Sequence, residues 1–224
     1  MDTPASLRII PAPLTAATTL RRALIFLMSF FGGFIIMSLQ LLGGRILAPY
    51  FGSSIYVWGS IITVFMAALA LGYLIGGRAS SHSPGLVRFS AIFLVAAVTI
   101  VPLILLGEQV MDGVFLRIED PRYGSLVSAS LMFGLPSIVL GMISPYSVRL
   151  QVEYAEHSGA IAGLLSFVST GGSALGTLLT SFYFVLWFEM NTLLIAMSVA
   201  LAVLGGVGLL GHRLLESPTP EARR

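Results

Sequence analysis

The chain has 224 residues, 56% of them hydrophobic and only 10% charged, with a formal net charge of +2 and a mean hydropathy of +0.95. A soluble domain carries roughly 25% charged residues, so a water-soluble fold of this size is excluded for want of polar surface, and so small a net charge gives no basis for nucleic-acid binding. The absence of Cys excludes disulfides, thiolate metal sites and cysteine nucleophiles.

All 12 basic residues are Arg, and they fall almost wholly between six long apolar runs. Residues 1–22 hold Pro4, Pro11 and Pro13 and close on Arg21-Arg22, and are expected to form an irregular cytoplasmic tail. A basic stretch before an apolar one also describes a signal peptide. The run that follows is too long for one, and no small-x-small cleavage site closes it. Six spans are expected: Ala23–Leu42, Ile55–Ile75, Phe89–Leu106, Ser125–Ile143, Ala160–Leu186 and Thr192–Gly211. Each suits a hydrocarbon core, which an apolar helix of about 20 residues crosses. None of the 10 acidic residues falls within those bounds.

Threading the spans with the N-terminus in the cytoplasm puts nine Arg inside and leaves Arg45, Arg117 and Arg122 outside. Positive charge resists translocation, so both termini are expected to be cytoplasmic. Trp58 and Trp187 then fall at the outer interface, where an amphipathic ring is favoured. The fold expected is all-α and polytopic: a six-helix membrane domain over 23–211, with residues 212–224 as a cytoplasmic tail.

Within the first span, Gln40 needs partners away from lipid. It is expected either to bond another helix or to line a polar cavity, and Ser38 to bond its own helix. Arg45 lies just beyond that span. It is open to three readings: snorkelling to headgroups, pairing with Glu108 or Asp112, or contacting an anion or substrate. In the second span Gly72 and Gly76 form a small-xxx-small pair, which lets two backbones approach closely. Arg78 and Arg149 are expected on the cytoplasmic side as latches between helix ends or as contacts for a partner. In the outer loop 107–124, Val110, Met111, Val114, Phe115 and Ile118 share one helical arc opposite Asp112, Glu119 and Asp120. A short interfacial helix is expected there.

The fifth span is long and Gly-rich, with small-xxx-small pairs at Gly159/Gly163 and Gly172/Gly176. Ser166, Ser169, Thr170, Ser173, Thr177 and Thr180 give it a polar stripe, in which Ser169, Ser173 and Thr177 recur every four residues. The stripe either glues helices together or lines a substrate path. His82, His157 and His212 are scattered without ligand spacing, so no metal site is expected. No cofactor is expected, and the spans contain no His to activate a serine. Arg45-Ile-Leu-Ala-Pro49-Tyr50 follows span one and Ile143-Ser-Pro145-Tyr146 closes span four, equivalent places in an inverted 3+3 repeat.

Several segments together resemble the membrane domain of the membrane-bound spermidine synthase-like proteins, the fused major-facilitator/spermidine synthase type. They are Arg45-Ile-Leu-Ala-Pro-Tyr-Phe-Gly-Ser-Ser54, Val57-Trp58, Leu71-Gly72-Tyr-Leu-Ile-Gly-Gly77-Arg78, Gly141-Met-Ile-Ser-Pro145-Tyr-Ser-Val-Arg149-Leu and Ser169-Thr-Gly-Gly-Ser173-Ala-Leu-Gly176-Thr177. The resemblance implies six helices like one half of a major-facilitator fold, in a bacterial or archaeal cytoplasmic membrane. Members typically carry a Glu where this chain has Gln40, and a neutral amide cannot serve as a counter-ion to a cation. Members also usually continue into a soluble aminopropyltransferase-like domain, and no Gly-rich nucleotide loop or paired carboxylates of that kind occur here.

The chain is therefore expected not to be an enzyme. It is expected to be a non-catalytic membrane module of a spermidine synthase-like system that anchors or regulates a separate soluble aminopropyltransferase-like partner or handles its product. The alternatives are a small-molecule transporter built as a homodimer of six-helix halves, and a structural or lipid-interacting membrane protein. Membrane lipid is the one partner common to all three.

Overall fold

The computed structural model describes residues 16–81, 84–152 and 158–215. Among these there is no strand; the chain is a bundle of six helices long and apolar enough to cross a membrane. They are α1 (Ala16–Phe51), α2 (Ile55–Ser81), α3 (Leu86–Phe115), α4 (Pro121–Gly141) continued by α5 (Ile143–Gln151), α6 (Ser158–Leu179) continued through a π-helical turn (Thr180–Phe184) into α7 (Val185–Trp187), and α8 (Met190–Leu215). All six expected spans are present, each set in a longer helix. Arg8, His82, Glu153, Glu156, His157, Arg223 and Arg224 lie outside the described residues, as do most of the two expected tails.

The helix ends follow local chemistry. Gly52, at φ +76°, makes the turn from α1 to α2, and its N–H bonds Ala48 O at 2.9 Å. Asp120 caps α4 by accepting the Arg122 N–H at 2.8 Å, with Pro121 in the first turn where its missing donor costs nothing. The break between α4 and α5 lies at Met142. Pro145 explains it, since a proline removes the bond to the carbonyl four residues back, here Gly141, and crowds it. The expected interfacial helix is instead the continuation of α3. Leu103, Gly107, Met111 and Val114 are buried at helical spacing, so the buried face of the span runs on in phase. Glu108 and Asp112 thus stand on the last turns of a spanning helix rather than in a loop.

Lipid offers helices no hydrophobic drive to associate, so close backbone packing and interhelical hydrogen bonds must hold them. α1 packs along α6, α2 along α4, and α3 along α8. In the first pair, Gly172 and Gly176 lie against the carbonyls of Phe30 and Phe34. In the second, Gly72 lies against the Ile138 carbonyl and Gly76 against the Met142 backbone. Hydroxyls cross-link each pair. Ser173 donates to Gly33 O at 3.1 Å, Ser60 and Ser125 bond at 2.9 Å, and Ser198 donates to Ala97 O at 2.9 Å. Exchanging span one with four, two with five and three with six leaves the pairing unchanged. Successive spans alternate in direction, so the exchange relates helices of opposite direction.

Charge is segregated along the bundle axis. The start of α1, the turn between α2 and α3, and the ends of α5 and α8 carry Arg21, Arg22, Arg78, Arg88, Arg149 and Arg213, with no acid among the described residues. The opposite end carries every described acid, namely Glu108, Asp112, Glu119, Asp120 and Glu189, together with Arg45, Arg117 and Arg122. The bundle thus has a basic end and an acidic end.

Candidate functional site

Two concavities are lined by residues expected at a site. The first is a depression of about 300 Å³ in the basic half of the bundle, where α1, α2, the α4–α5 junction and α6 meet. Its floor is Gly32, Gly33 and Ile36 of α1, and Ser166, Ser169, Thr170 and Ser173 of α6 line one wall. Four of the six expected stripe residues are therefore brought together. They share a wall because i, i+3, i+4 and i+7 share a helix face. Glycine makes the site possible: a Cβ on Gly33 would collide with the Ser169 carbonyl and lie 2.9 Å from both Ser169 Oγ and Ser173 Oγ.

Thr177, though in phase with the stripe, does not line the depression. Its hydroxyl turns back to Ser173 O at 2.9 Å. One turn on, Gly176 meets the Phe34 backbone, so α1 and α6 close together at this level. Higher still, Thr180 donates to Ser38 Oγ at 2.8 Å and Ser38 donates to Gly176 O at 3.3 Å, in a fully buried chain at the start of the π turn. Ser38 thus bonds across to span five and not to its own helix. Tyr73 and Ser144 complete the depression with two further hydroxyls that the linear stripe did not reveal. Their signal was indirect. Tyr73 follows Gly72, which is pressed against α4, and Ser144 precedes the Pro145 that bends the chain.

The second concavity, of about 470 Å³, opens at the acidic end between α1, α3 and the start of α8. Arg45, Tyr50, Glu108, Gln109, Glu189 and Asn191 are its polar lining. Arg45 lies within α1, not beyond it, and its Nη1 donates to Val185 O at 3.3 Å, at the end of span five. No carboxylate pairs with it among the described residues. The reading of Arg45 as the partner of Glu108 or Asp112 is corrected by this geometry, although Glu108 lines the same concavity. Asp112 instead lies beside the Tyr50 hydroxyl.

Gln40 stands apart from both concavities, half-buried on α1 with no hydrogen-bond partner among the described residues. Arg78 and Arg149 are exposed at the basic end, and neither makes a hydrogen bond or ion pair among the described residues. The expected latch is therefore not formed by their guanidinium groups, and what they offer is accessible positive charge. No group of His, Asp or Glu among the described residues has the geometry to hold a metal ion. Comparison with protein-family models, with curated proteins and with solved structures gives no match.

Proposed function

We propose that the chain is a non-catalytic membrane module that handles a small solute, with the face formed by spans one, two, four and five covered by a second copy. The observation that carries this reading is the hydroxyl-lined depression. Ser166, Thr170 and Tyr73 are exposed on a surface at membrane depth, where polar groups left against lipid are unfavourable and ordinarily face protein or a watered cavity. A second copy placed face to face would enclose two such depressions. The exchange symmetry of the helix pairing supports the same reading, since six-helix halves with inverted repeats are a recurring way to build a central site. No carboxylate lines the depression, so a neutral, zwitterionic or anionic solute suits it better than a multivalent cation.

The test is cross-linking in native membranes. The chain has no Cys, so a single Phe167→Cys, on the exposed face of α6, reports directly on a second copy. Disulfide-linked dimer at that position, with none from Val98→Cys on the outward face of α3, is the expected result. Cross-linking from Val98 alone would overturn the arrangement. Uptake of a solute panel into proteoliposomes then tests the handling role.

A second reading has its own observation in the basic end. With the basic end facing the cytoplasm, as the arginine bias supports, Arg78 and Arg149 would present charge to a soluble aminopropyltransferase-like enzyme. Purification in mild detergent should then retain such an enzyme, and Arg78→Glu with Arg149→Glu should release it. A preparation that never carries one refutes this reading and leaves the first standing.

A further inference from the structure

A third concavity lies on the lipid-facing side of the bundle, away from both sites above. It is an almost wholly apolar trough of about 490 Å³ between α2, α3 and the α4–α5 junction. Small side chains, Ala79 on α2 with Ala91 and Val95 on α3, leave the space, and Met142 and Tyr146 form the opposite wall. Arg88, two residues into α3, stands at its mouth at the basic end. Val95 lies seven residues deeper, roughly 10 Å along the helix axis. Tyr146 is fully buried and stacked on Phe89 at 5.9 Å. Its hydroxyl accepts the Gly85 N–H at 3.5 Å, and its own proton has no acceptor among the described residues.

We infer that this trough is a binding site for one anionic glycerophospholipid, with an acyl chain lying along Ala79, Ala91 and Val95 and the phosphate at Arg88. An apolar slot that opens sideways to the bilayer at headgroup depth admits a lipid tail and disfavours a water-soluble ligand. The charge selects the headgroup. Arg88 lines the mouth, Arg78 precedes Ala79, Arg149 lies one turn beyond Tyr146, and no described acid lies at that end. Basic pockets between membrane helices on the cytoplasmic side are a known mode of recognising anionic lipid headgroups. The site does not depend on the function proposed above.

The experiment is native mass spectrometry of the full chain from mixed micelles holding equal phosphatidylglycerol and phosphatidylcholine. The expected result is one retained phosphatidylglycerol in preference to phosphatidylcholine. Arg88→Gln should lower its retention by about fivefold, and Val95→Trp, which fills the trough from an exposed rim, should abolish it. Ala91→Leu on the same rim gives the same reading with a smaller side chain should the Trp variant lose its monodisperse state. Equal retention of the two lipids, retention unchanged in either the Arg88 or the rim variants, or a polypeptide found in the trough would each overturn the inference.

Discussion

Adjacent glycines in span five should respond oppositely to the same added methyl group. At Gly172 a Cβ would collide with the Phe30 carbonyl and sit 2.9 Å from Phe30 C and 3.2 Å from Phe30 Cα. All three are backbone atoms, so no rotamer change relieves the clash, and α1 and α6 must separate. Overpacking of this kind costs about 1–3 kcal/mol, and with backbone in the way the upper end applies. Replacing Gly by Ala within a helix returns up to about 1 kcal/mol. Gly172→Ala should therefore be destabilised by roughly 2 kcal/mol, about thirtyfold in the folded-to-unfolded ratio. At Gly171 a Cβ meets nothing within 4 Å, so Gly171→Ala should be neutral or stabilised by up to about 1 kcal/mol. Reversible unfolding by SDS titration in mixed micelles, read by far-UV circular dichroism, measures both. Equal stability of the two variants, or the reverse order, would refute the claim that the α1–α6 seam rests on backbone contact at Gly172.

The buried hydroxyl pair predicts a small coupling. Thr180→Val and Ser38→Ala in a double-mutant cycle should show an interaction of about 0.6 kcal/mol, the average for such bonds in membrane helices, and a coupling near zero would dissociate the pair from the π turn. Arg45→Leu should cost less than about 1 kcal/mol overall, as an exposed hydrogen bond contributes little, yet amide hydrogen exchange of residues 185–189 should quicken while α2 and α4 stay protected. Unchanged exchange there would deny Arg45 its role at the end of span five. Single cysteines at Arg78 and Arg149 should react with an impermeant thiol reagent only after the membrane is opened, and one at Arg117 beforehand; the reverse pattern would invert the topology.

Much of the architecture was legible because lipid imposes length and composition on whatever crosses it. The extent of α3 was not read from the sequence: Met111 and Val114 continue the phase of Leu103 and Gly107, but the charges at 108 and 112 placed the end of the expected span at Leu106. The hydroxyl wall from Ser166 to Ser173 followed from spacing along one helix. Its limit at Thr177 did not, because it depends on where Phe34 of another helix approaches Gly176. The same holds for the acidic-end concavity, whose Glu108 and Glu189 lie far apart in the chain and meet only through the pairing of α3 with α8. Gln40 illustrates the reverse case: a polar residue at membrane depth draws notice in the sequence, yet the fold gives it no hydrogen-bond partner among the described residues.

The π turn at Thr180–Phe184 also bears on how this chain can change length. A turn of this kind takes up one surplus residue while the helix on either side keeps its phase. Removing a single residue there would leave an ordinary α-helix, with Gly172 and Gly176 still seated on α1 and the Val185 carbonyl still presented to Arg45. Span five thus has one place where insertion or loss of a residue is absorbed locally, whereas the same event next to Gly72 or Gly172 would rotate a seam out of register.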